Sequence, residues 1–190
     1  MNDDATLTVL QVLPALETGG VERGTVEMVQ AIVRAGGSAL VASAGGAAGR
    51  GGGAGGRHPY HHQAGLQEPG PHLAQRRALA FLIRAADVDI VHARSRAPAW
   101  SAWLACRRTG AKFVTTWHGV YSENAPGKRR YNAVMARGER VIAISHFIAA
   151  RLMSRHHVDP RRLRVIPRGV DPAQFDPANV SDLRGGSACR

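Results

Sequence analysis

Short apolar runs alternate along the chain with longer stretches in which apolar residues recur every three or four positions. The runs are rich in valine, isoleucine and leucine, which is typical of strands buried on both faces of a sheet. The longer stretches have the spacing of amphipathic helices. Strands are predicted at residues 6–13, 38–43, 88–92, 112–117, 141–144 and 163–167, and helices at 21–35, 78–86, 98–108, 129–137 and 146–155.

This order of elements predicts one domain of the α/β class. Repeated alternation of strand and helix indicates a Rossmann-like, doubly wound parallel sheet. A chain of 190 residues is long enough to bury a full core, so we expect a single domain over residues 6–177. Residues 178–190 show no pattern and are expected to form an unstructured tail.

Residues 45–78 interrupt the alternation. Eight of the twelve residues from 45 to 56 are glycine, and the stretch that follows has prolines but almost no apolar periodicity. Its apolar area is too small to offset the entropy of ordering, so this low-complexity, insertion-like segment is expected to be disordered. A displaced reading frame across 45–78 is a second explanation for the lost folding signals. No metal site is predicted there, because no flanking element would hold the histidines as ligands; they are His58, His61, His62 and His72.

Glycines and polar side chains follow four of the predicted strands, at the edge where open parallel sheets bind ligands. His118 and Gly119 end one strand and would bring an imidazole to this edge; a histidine that only caps the strand is the alternative. Gly19 and Gly20 precede the first helix, where a ligand can approach the backbone and free N–H groups attract anions; a tight turn is the alternative. The other polar residues at this edge are His92, Arg94, Ser95, Ser145 and His146.

The net charge of +11 comes almost wholly from arginine, since only Lys112 and Lys128 are lysines. A basic surface favours anionic partners such as nucleotide phosphates, acidic lipid headgroups or nucleic acid. The arginines are scattered, and no strand interleaves basic with aromatic residues, so nucleic acid is the weakest of these partners.

Several features favour the cytoplasm as the location. Cys106 and Cys189 form neither a disulfide framework nor a metal-ligand spacing. No apolar run is long enough to span a membrane, and the acidic N-terminus does not have the pattern of a signal peptide. Contact with a membrane would then be peripheral, at its inner face.

Five motifs, taken in order, resemble the N-terminal domain of a family 4 glycosyltransferase of the GT-B fold. The last is especially characteristic, because an Ile-Pro-(Asn/Arg)-Gly-Val-Asp sequence closes the first domain in this family. The resemblance covers residues 6–44 and 79–177. The motifs are Gly19-Gly20-Val21-Glu22, Val88-Asp89-Ile90-Val91-His92, Thr116-Trp117-His118-Gly119, Ala143-Ile144-Ser145-His146 and Val165-Ile166-Pro167-Arg168-Gly169-Val170-Asp171.

The resemblance implies a retaining transfer of sugar from a nucleotide-sugar donor to an acceptor. In this family the acceptor is often a lipid, a lipopolysaccharide or another glycan intermediate of the cell envelope. Neither a cofactor nor a metal ion is implied. An oxocarbenium-like transition state with a departing diphosphate needs oriented dipoles and positive charge more than a strong base.

The same resemblance implies roles for individual residues. Gly19 and Gly20 would form the loop at the sugar and phosphate site. His118 would be the catalytic residue and would hydrogen-bond the transferring sugar near its reacting carbon. Arg168 would lie at the hinge near the phosphates. Further substrate-binding candidates are Arg94, Ser95 and Ser145, the last at the rim of the cleft.

The main departure from the family pattern is length. Family members are about twice as long, and their second domain holds most donor contacts, including a pair of glutamates. We therefore expect this sequence to be a fragment that ends before the donor domain and is inactive alone. The alternative interpretation is a non-catalytic remnant, or a module that binds anionic surfaces.

Overall fold

A computed structural model describes residues 6–14, 20–43, 63–65 and 72–169. Within these ranges all strands are parallel and belong to one sheet, in the spatial order β3-β2-β1-β4-β5-β6-β7. The order reverses between β1 and β4, the point at which such sheets bind ligands. The strands are β1 (Thr8–Val12), β2 (Ser38–Ser43), β3 (Gln63–Gly65), β4 (Ile90–Ala93), β5 (Lys112–Trp117), β6 (Arg140–Ala143) and β7 (Leu163–Val165).

Helices connect most of the strands. Two of them have clear boundary residues: Ser145 caps the N-terminus of α5, and Gly110 ends α3 with φ 87°, a left-handed conformation that glycine adopts without strain. A 3-10 helix, Ala133–Ala136, directly follows α4. The helices are α1 (Gly20–Arg34), α2 (His72–Ala85), α3 (Arg96–Thr109), α4 (Lys128–Asn132) and α5 (His146–His156).

Side chains of the strands alternate between two apolar layers on opposite faces of the sheet. In β2, Leu40 and Ala42 belong to the larger core, which also contains side chains of α2, α3 and α5. Ala39 and Val41 belong to a smaller cluster with Val29 of α1. Among the described helices, α1 therefore covers the sheet face opposite the larger core, beside β1 and β2. On that face α1 does not cover the ends of β4 to β7.

Hydrogen bonds to the connection between β5 and β6 fix the end of β5. Trp117 Nε1 donates to the carbonyl oxygen of Met135 at 3.1 Å. Arg162 Nη2 donates to the carbonyl oxygens of Ala136 at 2.7 Å and Gly138 at 2.6 Å. The position of the residue that follows β5, His118, is thus set by buried contacts on the far side of the sheet.

The predicted fold class is confirmed: the domain is an α/β, Rossmann-like parallel sheet with helices on both faces. Each strand predicted between residues 6 and 167 is present within a few residues of its expected bounds. The alternation of apolar and amphipathic stretches was sufficient to predict these elements, because each of the predicted strands contributes apolar side chains to the core.

The structure differs from the sequence-based prediction within 45–78. Backbone of β3 at 63–65 pairs with β2, and α2 begins at His72, six residues before its predicted start at 78. Regular structure therefore occurs where none was expected. His58, His61, His62 and the tail at 178–190 lie outside the described residues. The disorder predicted for the other undescribed residues of 45–78 stays a prediction.

The predicted helix at 129–137 is also different. It is a short α-helix followed by a 3-10 turn, because buried Asn132 hydrogen-bonds away from the helix. Its side chain accepts from Arg96 Nη1 at 3.0 Å and donates to the carbonyl oxygen of Ser122 at 3.2 Å. Across the described residues, we find no helix with both the length and the apolar character needed to cross a bilayer.

Substituting Gly138 tests the packing between β5 and β6. A Cβ there would lie 2.6 Å from the carbonyl oxygen of Arg140 and 3.3 Å from that of Phe113. Because backbone must move to relieve this contact, Gly138→Ala should lower the free energy of unfolding by about 1–3 kcal/mol. Gly119→Ala is the matched control, since a Cβ at Gly119 meets nothing within 4 Å. Urea unfolding measures the stability of both variants. Equal unfolding midpoints would contradict the close backbone packing at Gly138.

Candidate functional site

An open cavity of about 570 Å³ lies at the carboxyl ends of the strands, beside α1. We call it the α1 cavity. Its sheet wall consists of side chains two positions apart on each of four neighbouring chain segments, because alternate residues of a strand share a face. These pairs are His92 and Arg94, Thr116 and His118, Ile142 and Ile144, and Ile166 and Arg168.

The opposite wall of the α1 cavity is one face of the helix. Gly24, Glu27, Ala31 and Arg34 recur there at helical spacing. The carboxylate of Glu27 pairs with Nε of Arg23 at 2.8 Å. The cavity thus lies between a helix and the carboxyl ends of parallel strands, the usual ligand position in open α/β sheets.

His118 is connected to two other elements through Arg168. Arg168 Nη2 donates to His118 Nδ1 at 2.9 Å, and Arg168 Nη1 donates to the carbonyl oxygen of Gly20. Because a guanidinium can only donate, Nδ1 accepts and the ring proton of the neutral imidazole lies on Nε2. Nε2 is buried and has no hydrogen-bond partner among the described residues. It is therefore an unused, buried N–H donor on a residue that lines the cavity.

His118 is neutral at physiological pH. Burial, the largest cause, and the positive charges of Arg94 and Arg168 together lower the pKa of His118 to about 3. An imidazole with this pKa neither donates nor removes protons efficiently near pH 7. It acts instead as a fixed hydrogen-bonding dipole.

His92 is a second neutral imidazole below the first. Its Nε2 lies 2.7 Å from Thr116 Oγ1. Burial lowers the pKa of His92 to about 3, with Arg94 and His118 as further causes. This pair joins β4 to β5 by a side-chain hydrogen bond beneath the cavity and fixes the strand ends that carry Arg94 and His118.

Arg94 is buried despite its charge, with 5 % of its surface exposed. Its Nε has no hydrogen-bond partner among the described residues. Burial lowers the pKa of Arg94 to about 10, and the charge of Arg168 acts in the same direction, while Glu27 and Glu22 oppose the shift. The guanidinium remains charged at pH 7 and is only partly compensated.

Gly24 provides the space that Arg94 occupies. A Cβ at Gly24 would lie 3.0 Å from Arg94 Nη2 and 3.8 Å from Arg168 Nη1. The two guanidinium groups therefore converge on one position of α1. At Gly20, a Cβ would lie 2.9 Å from Arg168 Nη1, so both glycines permit a close approach of arginine to the helix.

The structure brings four of the predicted site residues together at this cavity: Gly20 through its carbonyl oxygen, and Arg94, His118 and Arg168 through their side chains.

Two other predicted residues lie outside the cavity lining. Ser95 precedes α3 without a side-chain capping bond, and Ser145 Oγ accepts from the backbone N–H of Ile148 at 3.3 Å. Binding of substrate by these serines stays a prediction, and Gly19 lies outside the described residues.

Sequence reasoning did not select several lining residues. Thr116 stands two positions before His118, so strand alternation places both on one face. On α1, Gly24, Glu27 and Arg34 share a helical face with spacings of three and seven residues. The strand alternation and the helical spacing can both be recognised in the sequence. Nothing in the sequence, however, indicated which face of α1 would contact the strand ends.

The chain that follows His118 is packed against α5. The rings of Trp117 and Tyr121 are 4.6 Å apart between centroids, and those of Trp117 and His156 are 4.8 Å apart. Glu123 Oε1 lies 2.9 Å from His156 Nε2, and its Oε2 lies 3.2 Å from Arg155 Nη2. These contacts hold the loop after β5 away from the α1 cavity.

Comparison with known proteins gives consistent results for sequence and structure. The family model for Glycosyltransferase Family 4 matches residues 18–174. D-inositol 3-phosphate glycosyltransferase of Salinispora arenicola is 30 % identical over 118 residues, which cover 56 % of this chain and 26 % of that protein. The same enzyme of Salinispora tropica is 31 % identical over 118 residues, or 55 % of this chain and 24 % of that protein.

Solved structures match over nearly the whole chain. A glycosyltransferase from Rickettsia africae is 37 % identical with a TM-score of 0.71, over 95 % of this chain and 48 % of that one. Anabaena HepE in complex with UDP and glucose is 18 % identical with a TM-score of 0.71, over 94 % and 49 %; that likeness shows the fold.

The present chain spans about a quarter of the curated relatives it matches and about half of these solved structures. Because the family model matches most of the length of this chain, the chain belongs to glycosyltransferase family 4.

Proposed function

We propose that this domain forms the acceptor side of a glycosyltransferase that moves a sugar from a nucleotide-sugar to an acceptor with retention of configuration. The observation that carries the proposal is the hydrogen bond from Arg168 to His118 at the edge of the α1 cavity. It orients a neutral imidazole and places a guanidinium beside it, next to the N-terminus of α1.

These groups suit a transition state in which positive charge develops on the sugar and negative charge on the departing diphosphate. His118 Nε2–H would donate to a hydroxyl of the transferring sugar near its reacting carbon. Arg168 would hold the imidazole in its tautomer and add positive charge at this edge of the sheet. Preorganised dipoles and charges of this kind contribute more to such reactions than proton transfer does.

The identity of the substrates has support from related proteins. Anabaena HepE has been solved with UDP and glucose, which supports a nucleotide-sugar donor. The Salinispora relatives act on D-inositol 3-phosphate by name, which supports a small polar acceptor besides the expected lipid, lipopolysaccharide or other glycan intermediate of the cell envelope.

We also propose a cytoplasmic location with peripheral contact to the inner face of the membrane. The basic residues of α4, Arg129 and Arg130, precede Tyr131, which is 39 % exposed. Exposed arginines beside an aromatic side chain favour an anionic lipid surface.

Replacement of His118 tests its proposed role. Residues 1–169 would be joined to the half of the Rickettsia africae glycosyltransferase that this chain does not match, and UDP release would be measured with added acceptors. In that protein His118→Ala should lower turnover roughly 10²-fold or more, the usual effect of losing a positioned polar group. His157→Asn is the matched control, because His157 is exposed and lies outside the α1 cavity. Undiminished turnover in folded His118→Ala would refute the role.

The pH dependence of stability tests whether His118 is neutral. The unfolded imidazole has a pKa near 6.5 and the folded one about 3, so the unfolded state binds more protons between these values. Stability that is present above pH 6.5 is therefore lost as the pH falls toward 3. From pH 7 to pH 5 the free energy of unfolding should decrease in both proteins. The decrease should be smaller in His118→Ala than in the unaltered chain, by on the order of 1 kcal/mol. Urea titrations measure this, with His146→Ala as control; equal losses in all three proteins would contradict a neutral His118.

The 190-residue polypeptide purified by itself should bind ligand without transferring sugar. The described residues provide one wall of a cleft, and preferential binding of the transition state needs groups on both sides of the reacting centre. Release of UDP from UDP-glucose in the presence of acceptor would be followed. Sustained transfer with no other protein present would show that one wall is sufficient.

A further inference from the structure

We propose that Arg94 and Arg168 together bind an anionic group of the acceptor, a phosphate or a carboxylate, in the α1 cavity. The inference rests on the proposed function, in which this domain binds the acceptor, and it specifies the chemical class of that acceptor.

Arg94 is the first observation. Its side chain is 95 % buried, it lines the cavity, and its Nε has no hydrogen-bond partner among the described residues. Buried arginines are normally paired with a carboxylate, because an uncompensated buried charge is strongly unfavourable. The acidic residue that lines the described part of the cavity, Glu27, is paired with Arg23.

A second guanidinium beside the first is an independent observation. Arg94 Nη2 and Arg168 Nη1 both lie within 4 Å of the position that a Cβ would take at Gly24. Their charges repel, and the charge of Arg168 disfavours the protonated form of Arg94. A bound phosphate or carboxylate would accept hydrogen bonds from both groups and remove this repulsion.

The N-terminus of α1 adds to the attraction. Its early backbone N–H groups have no partner within the helix, and the helix dipole places positive potential there. Gly20 and Gly24 allow the guanidinium groups of Arg168 and Arg94 to approach this end of the helix closely. Two converging guanidinium groups and a helix N-terminus are the features of an anion site.

The position along the helix favours the acceptor over the diphosphate of the donor. The cavity extends from Gly24 past Glu27 and Ala31 to Arg34, away from the first turn of α1 and along the wall formed by this domain alone. An anionic substituent bound at Arg94 would place the remainder of the acceptor along this wall, with a hydroxyl toward His118.

Binding by the full 190-residue chain tests the proposal. Glucose 6-phosphate and glucuronate would be compared with glucose by NMR titration at fixed ionic strength. Both anions should bind about tenfold or more tightly than glucose, and Arg94→Met should remove that difference. Arg161→Met, an exposed arginine before β7, should leave it unchanged. Equal binding of anions by Arg94→Met and the unaltered chain would overturn the proposal.

Stability separates a binding role from a structural one. An unpaired buried charge replaced by an apolar side chain of similar length is often neutral or stabilising. Arg94→Met should therefore keep or raise the melting temperature while losing anion binding. Gly24→Ala should also keep or raise the melting temperature, because alanine favours a helix and its Cβ, 3.0 Å from Arg94 Nη2, requires only a small shift of that side chain. A large fall in melting temperature for both variants would indicate a structural role and overturn the proposal.

Competition with UDP distinguishes the two sources of the anion. In the two-domain protein, which has the donor domain, saturating UDP should leave the affinity for glucose 6-phosphate unchanged if Arg94 binds the acceptor. If UDP competes with glucose 6-phosphate, and Arg94→Met weakens the binding of both ligands to the same extent, Arg94 and Arg168 bind the donor diphosphate. That result overturns the assignment to the acceptor. The proposed function fails separately: in the two-domain protein, transfer that is indifferent to His118→Ala would refute it even where Arg94 binds anions.

Discussion

The hydrogen bonds of Arg168 are the contact on which the geometry of the site depends. They join the chain after β7 to the end of β5 through His118 Nδ1 and to the first residue of α1 through the carbonyl oxygen of Gly20. Each connection has a chemical consequence. The first fixes the tautomer of the imidazole and leaves Nε2–H unused, and the second is favoured by the glycine at position 20, because a Cβ there would lie 2.9 Å from Arg168 Nη1.

The parallel register explains why polar groups gather on the face of α1. Gln11 of β1 pairs in register with His92 of β4, and His92 hydrogen-bonds Thr116 of β5. All three side chains are buried, and the amide atoms of Gln11 have no partner among the described residues. Unpaired buried polar atoms reduce stability. The sheet thus tolerates a polar layer beneath the cavity, while its opposite face forms an apolar core.

Much of the fold followed from the sequence because the predicted strands are short apolar runs that place side chains in the core. His118 was also predictable, since it ends such a run. β3 at 63–65 was missed because Gln63-Ala64-Gly65 has no strand propensity of its own, and its structure depends on pairing with β2. The burial of Arg94 could not be predicted either. Arginine is normally exposed, and only the tertiary approach of Gly24 makes the buried position accessible.

Two neutral imidazoles beside two guanidinium groups limit what chemistry this edge of the sheet can perform. The positive field that attracts an anion is one of the causes that lower the pKa of His118 and His92 to about 3. With these pKa values, which burial lowers most, neither imidazole transfers protons efficiently at neutral pH. An arrangement of this kind can orient a sugar and stabilise separated charge without a proton moving to or from the protein. Glycosyl transfer with a diphosphate leaving group needs that stabilisation, since the leaving group departs as an anion and does not require a strong acid.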